Sequence, residues 1–151
     1  MFSDTKRRLL RQWKIHYKTL SNPLSTYSSI QPELPLSPWY SKLNFQKRKV
    51  IVKLCRLRFG HSSLPAHLNK IYPDLSPFCP LHPQDNIPAD PNHILFACPH
   101  LSTLQTFLEK ELLLMKIPRP WSLISLLVDL NPDIYNLLAQ FIRSLPPSIN
   151  I

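Results

Sequence analysis

One glycine in 151 residues is the sharpest shortage in this sequence, and it stands against seventeen prolines. Hairpin turns need backbone at positive φ, a role glycine fills at least cost. The composition therefore argues against hairpin-built sheets and for short helices joined by proline-punctuated connections. Acidic residues are scarce as well, nine against eighteen Lys and Arg. A nuclease of the ribonuclease H type needs clustered carboxylates to hold two divalent ions, and the acids here are scattered among caps and loops. One glycine cannot build a phosphate-cradling loop, and no serine sits in a nucleophile-elbow context, so a non-catalytic chain is expected. No apolar run approaches the roughly 20 residues of a membrane span, and no membrane partner is expected. Three cysteines cannot all pair, and no secretory apolar segment follows Met1. A reducing compartment, nucleus or cytoplasm, is the expectation, with a mitochondrial presequence in the basic, acid-poor start ranked behind it.

What is present is a concentrated positive charge. Residues 1–60 hold thirteen Lys and Arg against Asp4 and Glu33, a balance of 13 − 2 = +11, while the remainder balances at 5 − 7 = −2. A polyanionic partner is expected on the N-terminal part, with RNA or DNA the first candidate. Ser3 can cap a helix in which Leu9, Leu10, Trp13, Tyr17 and Leu20 share one side while Arg7, Arg11, Lys14 and Lys18 gather on another, and Asn22-Pro23 ends it. Residues 22–38, with Pro23, Pro32, Pro35 and Pro38, show no period and are expected to be an extended linker. A second helix is expected from near Pro38 or Ser41 to about Arg58, burying Leu43, Val50, Ile51, Leu54 and Leu57. On its neighbouring side Lys42, Lys49, Lys53 and Arg56 fall within about 60° of arc, a stripe suited to a phosphate backbone or to solvent. Cys55 reads as a small core residue. Gly60 follows as a left-handed cap, and a short helix is expected from Leu64 to Lys70, with His61 and His67 fixing the turn beside it.

The chemistry-bearing pattern is Cys79-x2-His82-x10-His93-x4-Cys98. Zinc accepts thiolate and imidazole together in a closed tetrahedron, so these four residues are the candidate ligands of a structural Zn2+ site with no position left for a catalytic water. His100 is near enough in sequence to take the place of His93 or Cys98. Pro80, Pro83, Pro88 and Pro91 restrict a segment without apolar periodicity, which a metal crosslink would fold. Beyond it, His93 to Cys98 is expected to form a short helix and Ser102-x-x-Gln105 to cap a helix over 103–116. Further helices are expected from Pro120 to about Leu130 and from Asn131 to Leu145. Leu123, Ile124, Leu127, Ile134, Leu138, Phe141 and Leu145 are their candidate core, packing on each other or on a separate partner.

The order Arg56-Leu57-Arg58-Phe59-Gly60-His61, Leu64, His67-Leu68, Ser76-Pro77-Phe78-Cys79 and His93-Ile94-Leu95-Phe96-Ala97-Cys98-Pro99 resembles a known arrangement. It is similar, from about Trp13 to Leu101, to the C-terminal region of insect-type non-LTR retrotransposon polyproteins, which follows their reverse transcriptase and ribonuclease H domains. In that family RLR-x-GH precedes SP-x-C-x2-C and H-x4-CP. The resemblance implies that Cys79, His93 and Cys98 take three zinc-ligand positions and that His82 replaces the family's fourth cysteine. It also implies that the catalytic domains are missing here.

The expectation is thus an all-α fold, a small helical domain with proline-rich linkers and one zinc-stabilised segment. Residues 1–21 form a basic amphipathic helix, 22–38 a linker, 39–101 a basic helix with the metal segment, and 102–151 leucine-rich helices. The expected function is a non-catalytic zinc-binding remnant contacting RNA or DNA through Lys42, Lys49, Lys53, Arg56 and Arg58, with Trp13, Tyr17, Trp39 and Tyr40 serving base stacking or the core. A structural or protein-interaction remnant, or an inert pseudogene product, without nucleic-acid binding is the alternative.

Overall fold

A computed structural model describes residues 4–20, 25–33, 38–42 and 47–151, without the side chains of Leu20 and Lys42. The expectations for Ser3, Asn22-Pro23, Pro35 and Leu43 lie outside these residues. The described chain is all-α. Its helices are α1 (Asp4–Leu20), α2 (Thr26–Ile30), α3 (Arg48–Phe59), α4 (Pro65–Ile71), α5 (Ser102–Leu114), α6 (Leu123–Val128) and α7 (Pro132–Ser144). Extended pairing among the described residues is confined to one antiparallel bridge between Phe78 and Pro88.

The core forms where the apolar stripes of the C-terminal helices face the first half of the chain. From α7, Ile134, Leu138 and Phe141 recur at three- and four-residue spacing and are all buried, and they meet Leu108 and Leu112 of α5 together with Leu54 and Leu57 of α3. The helix α6 is short but firmly started: Ser122 accepts from the Ser125 amide, and the Ser125 hydroxyl accepts in return from the Ser122 amide. By contrast α1 stands largely in solvent, with Leu9, Trp13 and Ile15 exposed. Its links inward include the Tyr17 hydroxyl, which donates to the Gln31 carbonyl at 2.7 Å, and an exposed Lys18–Glu33 pair.

Several expectations are corrected. The linker over 22–38 contains α2, whose Ile30 is buried and which packs on both α3 and α6. Five residues are too few to show a helical period, but Ser25 accepts from the Ser28 amide and starts the helix. The helix α3 begins at Arg48, so Lys42 is not on it but ends a separate 3-10 turn, Trp39–Lys42. A four-residue stripe therefore does not exist, and Lys49, Lys53 and Arg56 remain. Ile124 is exposed, since α6 turns Leu123, Leu126 and Leu127 inward instead. Ser102 is the first residue of α5 rather than its cap.

Arg58 is the largest correction. Its side chain is 0% exposed, which removes it from any nucleic-acid-binding surface. The guanidinium donates to the Leu127 carbonyl of α6 at 3.0 Å, to the Tyr135 hydroxyl of α7 and to Gln31 Oε1 at 3.1 Å. Its carbon lies 4.9 Å from the Trp39 ring centroid, a cation–π distance. No carboxylate pairs with it among the described residues. Tyr135 supplies no negative charge either, because burial pushes its phenol up to about 12.

Gly60 ends α3 as expected, at φ +70, with its amide donating to the Leu57 carbonyl. A Cβ there would lie 2.6 Å from Thr26 Oγ1, so the position also lets α2 approach α3.

Two stability outcomes follow. Gly60→Ala should cost at least about 1–2 kcal/mol in urea unfolding, from left-handed backbone strain alone, and Thr26→Ala should relieve only the part due to the clash. Arg58→Ala should cost about 3–5 kcal/mol, and Arg58→Met less, because it keeps the buried volume while removing the charge. A Met variant as unstable as the Ala variant would show that the hydrogen bonds, not the packing, carry the effect.

Candidate metal centre

Cys79, His82, His93 and Cys98 are brought together from two short pieces of chain, and each is buried. The first piece is held by a miniature ladder in which the Cys79 amide donates to the Ile87 carbonyl and the Ala89 amide to the Pro77 carbonyl, both at 2.9 Å. A turn then carries His82 back over Cys79, its amide donating to the Cys79 carbonyl at 3.2 Å. Asn86 takes the left-handed conformation that closes this loop, at φ 53, a position asparagine tolerates better than most residues.

The second piece uses an uncommon turn. At 100° per residue, His93 and Cys98 would diverge by about 140° on an α-helix. Residues His93–Ala97 instead form a π-helical turn, closed by the Cys98 amide donating to the His93 carbonyl at 2.8 Å. A turn closed over five residues brings both side chains to one side. Asp90 starts the turn, its Oδ1 accepting from the His93 amide at 2.9 Å.

Three of the six donor–donor distances match the edges of a zinc tetrahedron. The two sulfurs are 3.9 Å apart, the two Nε2 atoms 3.1 Å, and Cys98 Sγ lies 3.4 Å from His82 Nε2. With zinc–sulfur bonds of about 2.3 Å and zinc–nitrogen bonds of about 2.0 Å, the corresponding edges are about 3.8, 3.3 and 3.5 Å. All four ligand atoms lie within 4.8 Å of one another. The set can hold a metal ion, and its chemistry and geometry are compatible with zinc. His100 is not in it: its exposed ring stacks on His82, with centroids 5.5 Å apart.

Neighbouring groups orient the ligands. Asp85 Oδ2 sits 3.1 Å from His82 Nδ1. That buried nitrogen has no well-aligned hydrogen bond, so the contact is an electrostatic one, of the carboxylate–histidine kind that steadies metal-binding imidazoles. Gln105 of α5 donates to the Ile94 carbonyl at 3.0 Å, and Asn92 Oδ1 accepts from the Leu123 amide of α6 at 2.8 Å. The spacing of Ser102 and Gln105 thus serves the ligand-bearing turn rather than a capping box. Burial pushes the Cys98 thiol up and, with the neighbouring His82, pushes His93 down. Without an ion, burial thus favours the neutral forms of Cys98 and His93.

The remaining candidates are dispersed. Lys49 and Arg56 are exposed on α3 and Lys53 is half-buried between them. Burial, then the charges of Lys49 and Arg56, hold Lys53 below the ordinary lysine range. Of the aromatics, Trp13 and Tyr40 are exposed, whereas Trp39 packs against Arg58. Cys55 is half-buried and distinct from the cluster.

Metal binding here must displace thiol protons but no His93 proton near neutrality, so affinity should fall as pH is lowered, by up to about a hundredfold per unit below the thiol range. A competition titration with a chromophoric chelator between about pH 6 and pH 8 measures it. Asp85→Ala should weaken the ion by about 10- to 100-fold without abolishing it, whereas Cys79→Ser should abolish stoichiometric binding. Equal affinity for Asp85→Ala and wild type would remove Asp85 from the site.

No protein-family model, curated protein or solved structure matches this chain, so the reading of the cluster rests on its own residues.

Proposed function

We propose that this chain is a non-catalytic, zinc-binding module that contacts RNA or DNA through its basic helices, in keeping with the resemblance to the C-terminal region of non-LTR retrotransposon polyproteins. The observation that carries it is the buried Cys79–His82–His93–Cys98 cluster, in which three donor–donor distances are close to those of a zinc tetrahedron. Two thiolates and two imidazoles suit zinc better than calcium or magnesium, which take oxygen ligands. Cys79, His82, His93 and Cys98 would hold the ion, which crosslinks the segment; four protein ligands leave no open position for a reacting water. Thiolate ligation requires reduced sulfur, which favours the nucleus or cytoplasm.

The nucleic-acid part of the reading is supported by charge. On α1, Arg7, Arg8, Arg11 and Lys14 are exposed, as are Arg48, Lys49 and Arg56 on α3, and Trp13 and Tyr40 are open for stacking. A structural or protein-interaction remnant is the second reading, favoured by Phe107, Leu113 and Leu114, which stand exposed on the outer face of α5 where a packing partner would sit.

Elemental analysis of the purified chain should give one zinc per molecule, and a chelator should lower its melting temperature. Binding to labelled single-stranded oligonucleotides should weaken steeply with salt. A chain without zinc, unaffected by chelator, would overturn the metal assignment. Absence of binding at low ionic strength would leave the remnant with a structural role.

A further inference from the structure

The first turn of α3 faces the end of α7 and the residues that follow it across a groove of about 560 Å³. Lys47, Lys49, Lys53 and Arg143 line it, together with apolar side chains such as Val50 and Ile149 and with Pro146 and Pro147. No Asp or Glu contributes to the lining, and none of these four cations forms an ion pair among the described residues. The sequence-level stripe contained neither Lys47 nor Arg143, because Arg143 is 94 positions (143 − 49) from Lys49 and joins it only through the packing of α3 on α7.

The arrangement is electrostatically unfavourable without a ligand. The positive end of a helix favours anions, yet α3 starts at Lys47, Arg48 and Lys49, with no acidic residue in its first turn and no side-chain cap. Lys53 is held below its ordinary range, chiefly by burial and then by Lys49 and Arg56. An anion in the groove would relieve both. The lining also limits which anion fits. Pro146 and Pro147 have no N–H to offer and Asn150 is the one uncharged polar side chain in the lining, so the wall gives a peptide backbone few partners, while a phosphodiester needs only cations. A space of this size suits a small ligand or a short piece of one strand and is too small for a duplex. Lys49 and Lys53 are one helical turn apart, about 6 Å along the axis, which lets them serve neighbouring phosphates.

We infer that this groove seats the sugar–phosphate backbone of a single nucleic-acid strand, with Lys47, Lys49, Lys53 and Arg143 as its cationic rim. The inference rests on the nucleic-acid reading above and names where that contact is made. Arg143 joins α7 to the interface, and α1 becomes an auxiliary surface rather than the principal one.

The test is fluorescence anisotropy of labelled oligo-dT and oligo-U on the full zinc-loaded chain, titrated with salt. Comparison variants are Lys49→Ala, Arg143→Ala and Arg143→Lys, with a triple α1 variant, Arg7→Ala, Arg11→Ala and Lys14→Ala. Lys49 and Arg143 are exposed, and unchanged zinc content and melting temperature verify folding. Lys49→Ala and Arg143→Ala should each flatten the slope of log affinity against log salt by about 0.7, as one lost single-strand phosphate contact does. Arg143→Lys should keep the slope, and the α1 triple variant should change affinity less than Arg143→Ala. Wild-type binding lost only in the α1 variant, with Lys49→Ala and Arg143→Ala unaltered, overturns the groove and leaves the nucleic-acid reading standing. No wild-type binding at low salt overturns both. Displacement of the oligonucleotide by polyglutamate at equal charge concentration would assign the groove to acidic peptides and overturn the inference.

Discussion

A cation buried without a carboxylate is the constraint on which this fold depends. Arg58 is enclosed by α6, α7, Gln31 and Trp39, and neutral oxygens and an aromatic face satisfy it. Removing a guanidinium from water is costly, so its burial depends on acceptors and an aromatic face held in place around it. The Nε atom is left without an acceptor, which places the whole electrostatic demand on the outer nitrogens and the ring. The contacts reach 27, 69 and 77 positions along the sequence. They can form only after the first and last parts of the chain have docked, and so they specify one topology among the ways short helices could pack.

The Cys–His cluster and this buried cation are joined through α6. One end of that helix receives the Asn92 side chain at the Leu123 amide, and its other end gives the Leu127 carbonyl to Arg58. Short helices are marginal by themselves and take their stability from what they contact. A six-residue helix pinned at both ends is therefore ordered by two sites that the sequence alone does not relate. Gln105 adds a parallel link from the ligand-bearing turn to α5.

Much of this was legible in the residues, and the failures have physical causes. The all-α class followed from glycine scarcity and helical periods, and the Cys79, His82, His93, Cys98 grouping from ligand spacing. Whether His100 would enter the cluster was open, because spacing does not fix ring direction; the π-helical turn decides it by turning His93 inward. The linker hid α2 because a single turn carries no periodicity. The sign of its charge puts Arg58 with the surface cations, although at 100° per residue it lies only about 40° from Leu54, inside the apolar face. That angle was the available signal. The groove beside Lys49 had none, since it exists only when α3 and α7 meet.

The scaffold around the cluster links the loop that could hold an ion to the helical core. An ion that binds the folded chain alone adds stability as the logarithm of its free concentration over its dissociation constant, about 4.1 kcal/mol at a thousandfold excess. Asn92 and Gln105 couple the ligand-bearing turn to α6 and α5, so that stabilisation is spread over the helical core instead of staying in the loop. With an ion bound there, the folded fraction of the whole chain would follow the free metal level rather than that of the loop alone.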